Sequence, residues 1–121
     1  LELENEGLDK KKFIKTIDNL KYSEKVIKFY TDENLRKNSF FSIKENRMIL
    51  RYNEFFSQPH EIIFRSLSNL VKSIGKNYYP VRGKKIEKII GEIKKKPYLK
   101  VTLGGCIIKR VNQTVIISKE H

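Results

Sequence analysis

Residues 98–119, YLKVTLGGCIIKRVNQTVIISK, contain three runs that are rich in β-branched and apolar side chains. Such residues favour extended strands, and each run has the length of an ordinary strand. The predicted strands are Tyr98–Leu103, Cys106–Val111 and Thr114–Lys119. Asn112-Gln113 is typical of a hairpin turn, while Gly104-Gly105 is either another tight turn or a bulge in a continuous strand, and we favour the bulge. The sequence therefore predicts a C-terminal β-hairpin or meander near residues 98–119.

Two helices are predicted before these strands. One runs from about Gly83 to Lys95, and Pro97 ends it because proline cannot continue the helical hydrogen bonds. The other begins at Ser57-Gln58-Pro59 and ends at Gly75, since proline is tolerated in a first turn and glycine is common at a helix end. Their predicted core residues recur at helical spacing: Ile62, Ile63, Leu67, Leu70, Val71, Ile74, Ile86, Ile89, Ile90 and Ile93.

The first half of the chain combines a long helical pattern with a short hairpin. Asp9 is a suitable N-cap for the region Lys10–Asn38, which carries one apolar stripe: Phe13, Ile14, Ile17, Leu20, Val26, Ile27 and Tyr30. A Lys44-Glu45-Asn46-Arg47 turn divides a predicted hairpin near residues 40–52. The expected fold class is α+β, mainly α: a small helical bundle with that hairpin and the C-terminal β-hairpin or meander. We interpret residues 1–8 as the acidic tail of an upstream segment and residues 9–121 as a single domain.

The composition favours a partner that carries negative charge. The chain has 121 residues and a net charge of +12, and residues 10–121 carry 26 basic and only 10 acidic side chains. Nucleic acid is the commonest partner for such a surface, and an anionic membrane is the next. No stretch approaches the length of a membrane span and no secretory leader is visible, so we expect a cytoplasmic protein without a membrane partner. With one cysteine and two histidines, the sequence predicts no disulfide and no metal site.

The sequence contains none of the common catalytic motifs. It lacks Gly-x-Ser-x-Gly, a Walker loop, Gly-x-Gly-x-x-Gly and His-Glu-x-x-His. We interpret Cys106 as a small buried hydrophobe and His60 as a surface residue rather than a general base. The chain is therefore expected to bind rather than to catalyse.

The candidate binding residues gather around the start of the helix at Gly83. Cations there oppose the helix dipole, yet the free N–H groups of a helix start also suit a phosphate, so Arg82, Lys84 and Lys85 form either a phosphate site or an ordinary solvated turn. Tyr78 and Tyr79 either stack on an unpaired base or cover the core. The complete set of candidate nucleic-acid contacts is Arg65, Lys72, Lys76, Arg82, Lys84, Lys85, Lys88, Lys109 and Arg110. For Arg65 the alternative is that its stem covers apolar surface.

Several short motifs occur in the order that one family shows. They are Gly7-Leu8-Asp9, Phe56-Ser57-Gln58-Pro59, Arg65-Ser66-Leu67, Tyr79-Pro80-x-Arg82 and Thr102-Leu103-Gly104-Gly105-Cys106. In this order and spacing the chain resembles the substrate-binding region of the bacterial tRNA(Ile)-lysidine synthetases, a family also labelled cell-cycle proteins, and most closely their alphaproteobacterial branch. The resemblance implies an ATP-dependent ligase that joins lysine to the wobble cytidine of an isoleucine tRNA.

The catalytic part of that family lies in a PP-loop domain marked by Ser-Gly-Gly-x-Asp-Ser, which this sequence lacks. The resemblance therefore implies that ATP and Mg belong to the parent protein and that this fragment has no catalytic residue and no cofactor. Its implied partners are tRNA and the PP-loop domain of the same parent chain. The alternative is an unrelated basic helical module that binds nucleic acid or another protein.

Overall fold

The computed structural model describes residues 24–75 and 81–120. These residues form four helices and five strands, which confirms the predicted α+β class. The elements in chain order are α1 Glu24–Asn38, β1 Ser39–Ser42, β2 Arg47–Arg51, α2 Tyr52–Phe55, α3 His60–Gly75, α4 Gly83–Lys95, β3 Tyr98–Leu103, β4 Cys106–Val111 and β5 Thr114–Lys119. The bounds of α4 and of the last three strands are those that the sequence predicted.

All five strands form one antiparallel sheet in the order β1-β2-β5-β4-β3. The predicted hairpin and the predicted meander are thus parts of a single sheet, joined where Arg47–Arg51 of β2 pairs with Thr114–Ser118 of β5. The sequence patterns describe each hairpin separately and contain no signal for this long-range pairing. Strand β3 lies at one edge of the sheet and β1 at the other.

Gly104-Gly105 is a tight turn, and our expectation of a bulge was wrong. Both glycines have positive φ, 57° and 81°, as a two-residue type I′ hairpin turn requires. The β3–β4 ladder is unbroken from Tyr98 opposite Val111 to Leu103 opposite Cys106, so no residue is left over to form a bulge. The predicted turn at Asn112-Gln113 is present and has Asn112 at φ 55°.

The core lies between one face of the sheet and the helices α3 and α4. The inner face of the sheet contributes Leu50, Ile108, Val115 and Ile117, which are fully buried. The helices contribute their predicted apolar faces, and every isoleucine of α4 is buried. The opposite, outer face of the sheet carries the side chains at the alternate strand positions.

Helix α1 buries a polar face beyond Ile27. Asn34 donates through Nδ2 to Ser66 Oγ at 3.1 Å, and Asn38 donates through Nδ2 to Asn34 Oδ1 at 2.8 Å. Tyr30, which we placed on an apolar stripe, is 42% exposed instead. The two amide groups that this face buries are thereby hydrogen-bonded to each other and to Ser66 of α3. The predicted N-cap Asp9 and helical residues 10–23, like the acidic residues 1–8, lie outside the described residues.

Candidate nucleic-acid interface

The start of α4 is strongly basic, as the sequence predicted. Arg82 is the N-cap residue in an extended conformation, and its carbonyl accepts hydrogen bonds from the N–H groups of Lys85 at 3.0 Å and Ile86 at 3.3 Å. The first turn holds no acidic residue, and the side chains of Arg82, Lys84 and Lys85 are exposed. Cations near a helix start oppose its dipole at about 0.3–1 kcal/mol each. Nothing in the first turn of α4 offsets this cost.

A groove of about 600 Å³ lies between one flank of α4 and the edge strand β3. Lys85 and Lys88 line it from the helix, and Lys100 lines it from the strand. Glu92 is the acidic residue that lines the groove. Sequence reasoning missed Lys100, although the alternation of exposed and half-buried residues along β3 placed it on the outer side of that strand.

Lys100 stands directly opposite Lys109 in the β3–β4 ladder. Opposed residues in an antiparallel ladder alternate between hydrogen-bonded and non-hydrogen-bonded pairs. The two-residue turn makes Leu103 and Cys106 a hydrogen-bonded pair. Three positions further along, Lys100 and Lys109 therefore form a non-hydrogen-bonded pair. Side chains approach each other more closely in such pairs, and like charges placed opposite are destabilising. Both lysines are exposed on the outer face of the sheet.

The cations of residues 81–120 differ from those of residues 24–75 in their pairing. The second segment has eleven basic and three acidic residues, whereas the first has nine and six. Five acids of the first segment are paired with cations: Glu24, Asp32, Glu33, Glu45 and Glu61. Among the described residues, no ion pair involves any lysine or arginine of 81–120. The second segment therefore carries most of the free positive charge of the described chain.

Arg110 does not belong to this exposed set. It is only 7% exposed, because alternation along β4 places it on the inner face with Cys106 and Ile108. Its guanidinium donates to the carbonyls of Asn112 at 2.8 Å, Lys96 at 3.3 Å and Ile93, and it lies 3.5 Å from the centre of the Tyr52 ring. The structure thus places Arg110 inside the protein, away from the surface on which we had predicted it.

Arg65 is exposed in part but already paired. It donates to Glu61 at 2.9 Å and to both carboxylate oxygens of Glu24 at 2.9 and 3.1 Å. The hydrogen bonds that Arg65 donates, to Glu24 first and then to Glu61, raise the pKa of its guanidinium. Two carboxylates more than balance its charge, so Arg65 adds no free cation to the surface.

The remaining predicted contacts divide between exposed and undescribed positions. Lys72 is exposed in the last turn of α3, and no described carboxylate forms an ion pair with it. Lys88 and Lys109 are exposed as expected. Lys76 and the tyrosines Tyr78 and Tyr79 lie outside the described residues.

The two potentially reactive side chains occupy structural positions. Cys106 is fully buried, burial raises the pKa of its thiol to about 11, and Sγ lies 3.4 Å from the carbonyl oxygen of Val71. Such a thiol is protonated near neutral pH and is a poor nucleophile. His60 lies at the surface with Nε2 2.6 Å from Glu87 Oε2. Within residues 24–75 and 81–120 there is no group of three or more histidine, cysteine or acidic side chains that could hold a metal ion.

No protein-family model, curated protein or solved structure matches the chain. None of the helices among the described residues has the length and apolar character needed to cross a bilayer.

Proposed function

We propose that this chain is a non-catalytic tRNA-binding domain of a tRNA(Ile)-lysidine synthetase and acts in the cytoplasm. The observation that carries the proposal is the set of ten exposed lysines and arginines in residues 81–120 that have no carboxylate partner among the described residues. Charges that serve only solubility are ordinarily interspersed with acids. A surface built of unpaired cations suits a polyanion.

Local electrostatics favour a phosphate-bearing ligand. Arg82, Lys84 and Lys85 oppose the dipole of α4. Lys88 lies one turn from Lys84 and Lys85, and like charges at that spacing repel each other. Lys100 and Lys109 face each other across a ladder. Phosphate groups between these cations would turn each repulsion into attraction, and contacts of that kind fix the register of a nucleic acid on a protein.

The sequence resemblance supports tRNA as the particular nucleic acid. Two of its motifs adjoin this groove: Tyr79-Pro80-x-Arg82 ends at the N-cap of α4, and Thr102-Leu103-Gly104-Gly105-Cys106 contains the turn of the β3–β4 hairpin. These elements flank the basic groove, since α4 and β3 form its two walls. Adenylation of the wobble cytidine with ATP and Mg, and its ligation to lysine, would take place on a separate PP-loop domain of the parent chain.

The proposal is tested by titrating tRNA at several salt concentrations with a triple variant, R82Q/K84Q/K85Q. Affinity should fall, and the slope of log binding constant against log salt should flatten by about two to three units, because each phosphate contact that is lost contributes roughly 0.7–0.9 to the slope. The matched control is K25Q/K28Q/K37Q, which removes the same charge from α1, where Lys28 and Lys37 are paired with Asp32 and Glu33.

The control variant should change the slope by less than one unit. Equal losses in the two variants would show that only net charge matters, and an unchanged slope in the first variant would remove α4 from the interface. Wild-type protein that binds no tRNA at all would contradict the proposed function itself.

The alternative function, protein interaction, is favoured by a different observation. Phe29, Phe40 and Phe41 are exposed on α1 and β1, away from the basic groove. Exposed aromatic side chains of this kind suit contact with another folded domain better than contact with RNA. If tRNA does not bind, these phenylalanines become the better starting point for the function of the chain.

A further inference from the structure

The outer face of β3 and β4 carries an exposed aromatic ring beside two unpaired cations. Tyr98 lies opposite Val111, and two residues further along the same face Lys100 lies opposite Lys109. Tyr98 is 69% exposed and Val111 is 41% exposed. These four residues, which we call the Tyr98 block, form a two-by-two patch on the sheet.

The geometry of the Tyr98 block follows from the hairpin turn. The alternation that makes Lys100 and Lys109 a non-hydrogen-bonded pair does the same for Tyr98 and Val111. Their Cα atoms are therefore about 4.5 Å apart within each pair, and the two pairs are separated by about 7 Å along the strands. The patch thus has an apolar end and a cationic end, at a spacing close to that between a base and its neighbouring phosphate group.

We propose that the Tyr98 block binds an unpaired RNA nucleotide, with its base stacked on Tyr98 and the adjoining phosphates held by Lys100 and Lys109. This rests on the proposed function and narrows it to one contact. A base offers the π-face that an exposed tyrosine ring can cover, and the phosphates neutralise two lysines that otherwise repel each other. An acidic peptide would satisfy the lysines but would leave the ring uncovered.

The nucleotide must be unpaired. Bases within a duplex are stacked on one another, and a side chain that stands on a sheet reaches a base face only where the base is splayed out. In tRNA this restricts the contact to a loop or a single-stranded end. Lys100 also lines the groove beside α4, so the Tyr98 block continues the surface formed by Lys85 and Lys88.

A second exposed aromatic on the same face provides a matched control. Phe40 is 54% exposed on the edge strand β1, four strands away from β3. It lies opposite Ile49, with one arginine diagonal to it on each side. Arg47 is held by Glu45 at 2.6 Å, so Arg51 is the one diagonal neighbour without an ion pair among the described residues, and Phe40 has no pair of free cations beside it. Phe40 therefore shares the exposure of Tyr98 without the charge arrangement.

The experiment measures binding of a short oligouridylate, an RNA duplex of equal length and polyglutamate to the whole chain. Tyr98→Ala should weaken oligouridylate binding by about tenfold, as expected for the loss of one stacked base, and should leave duplex binding unchanged. Tyr98→Phe should retain the affinity because it keeps the ring. Lys100→Gln should weaken binding of both RNAs and flatten the salt dependence by about one unit.

Phe40→Ala should leave the affinity for all three probes unchanged, and an unchanged thermal midpoint for Tyr98→Ala will show that the sheet is intact. Wild-type protein that binds tRNA while Tyr98→Ala leaves oligouridylate affinity unchanged would overturn the inference and leave the proposed function standing. Equal losses of oligouridylate affinity for Tyr98→Ala and Phe40→Ala would also overturn it. So would a loss of polyglutamate affinity in Tyr98→Ala that is as large as its loss of oligouridylate affinity. Wild-type protein that binds neither tRNA nor oligouridylate would overturn the proposed function as well.

Discussion

At the scale of the residue, Gly75 shows how closely α3 approaches the β3–β4 turn. A Cβ atom at this position would meet the carbonyl oxygen of Gly104 and would lie 3.2 Å from Cys106 Sγ. The backbone oxygen belongs to a tight turn whose glycines both have positive φ, so it cannot move aside easily. The helix end and the turn can therefore touch only because residue 75 has no side chain.

Gly75→Ala should destabilise the protein by about 1–3 kcal/mol, the usual cost of adding atoms to a closely packed site. Gly91→Ala is the matched control, since a Cβ in that position meets nothing within 4 Å and alanine favours a helix over glycine by about 0.5–1 kcal/mol. Chemical denaturation of both variants should give free energies of unfolding that change in opposite directions. A gain in stability for Gly75→Ala would show that the turn is not held against α3.

At the scale of the element, Arg110 ties β4 to the end of α4. Its guanidinium donates to carbonyls that include those of Ile93 and Lys96, close to the negative end of the helix dipole. A cation at that position both caps the helix and fixes its distance from the sheet. The basic face of α4 is thus held in place by an arginine that itself points inward.

Arg110→Lys should lower the free energy of unfolding by about 1.5–3 kcal/mol, because an ammonium group cannot reproduce the fork of hydrogen bonds. The tRNA affinity of this variant, measured at a temperature well below its thermal unfolding midpoint, should stay within a factor of two of wild type. The adjacent Lys109→Gln should do the reverse and weaken tRNA binding without loss of stability. If Arg110→Lys weakens binding as much as Lys109→Gln, Arg110 contributes to the tRNA interface, either directly or through the position of α4.

The elements show which features local sequence can predict. The bounds of α4, β3, β4 and β5 follow from β-branched runs, helical periodicity and turn residues, all of which act within a few positions. The turn at Gly104-Gly105 was mistaken for a bulge because a Gly-Gly pair suits both, and only pairing of the two strands decides between them. The inward direction of the Arg110 side chain was predictable, because alternation along the strand places it on the same face as Cys106 and Ile108, and we did not use this signal.

Two features depend on distant residues and have no local signal. The polar face of α1 is stable because Asn34 meets Ser66 on another helix, and hydrophobic periodicity cannot reveal such a partner. The groove exists because β3 is an edge strand, which follows from the pairing of β2 with β5. For the same reason Lys100 was missed as a site residue while the cations of α4 were found.

At the scale of the whole molecule, charge pairing divides the described chain into two parts. Residues 24–75 neutralise most of their own charge through ion pairs, whereas residues 81–120 do not. Surface ion pairs contribute little to stability, so this division has small consequences for folding. It has larger consequences for binding, because an approaching polyanion is attracted to the part whose cations are free.

The most direct test of this account is to map tRNA binding through the chemical shifts of backbone amides in the isotopically labelled chain. The account predicts that the largest changes occur at residues 82–88 and at Lys100 and Lys109, while the amides of α1 between Glu24 and Asn38 stay unchanged. The opposite pattern, with changes concentrated on α1 and none at residues 82–88, would contradict it and would place the RNA on the lysines of the first helix.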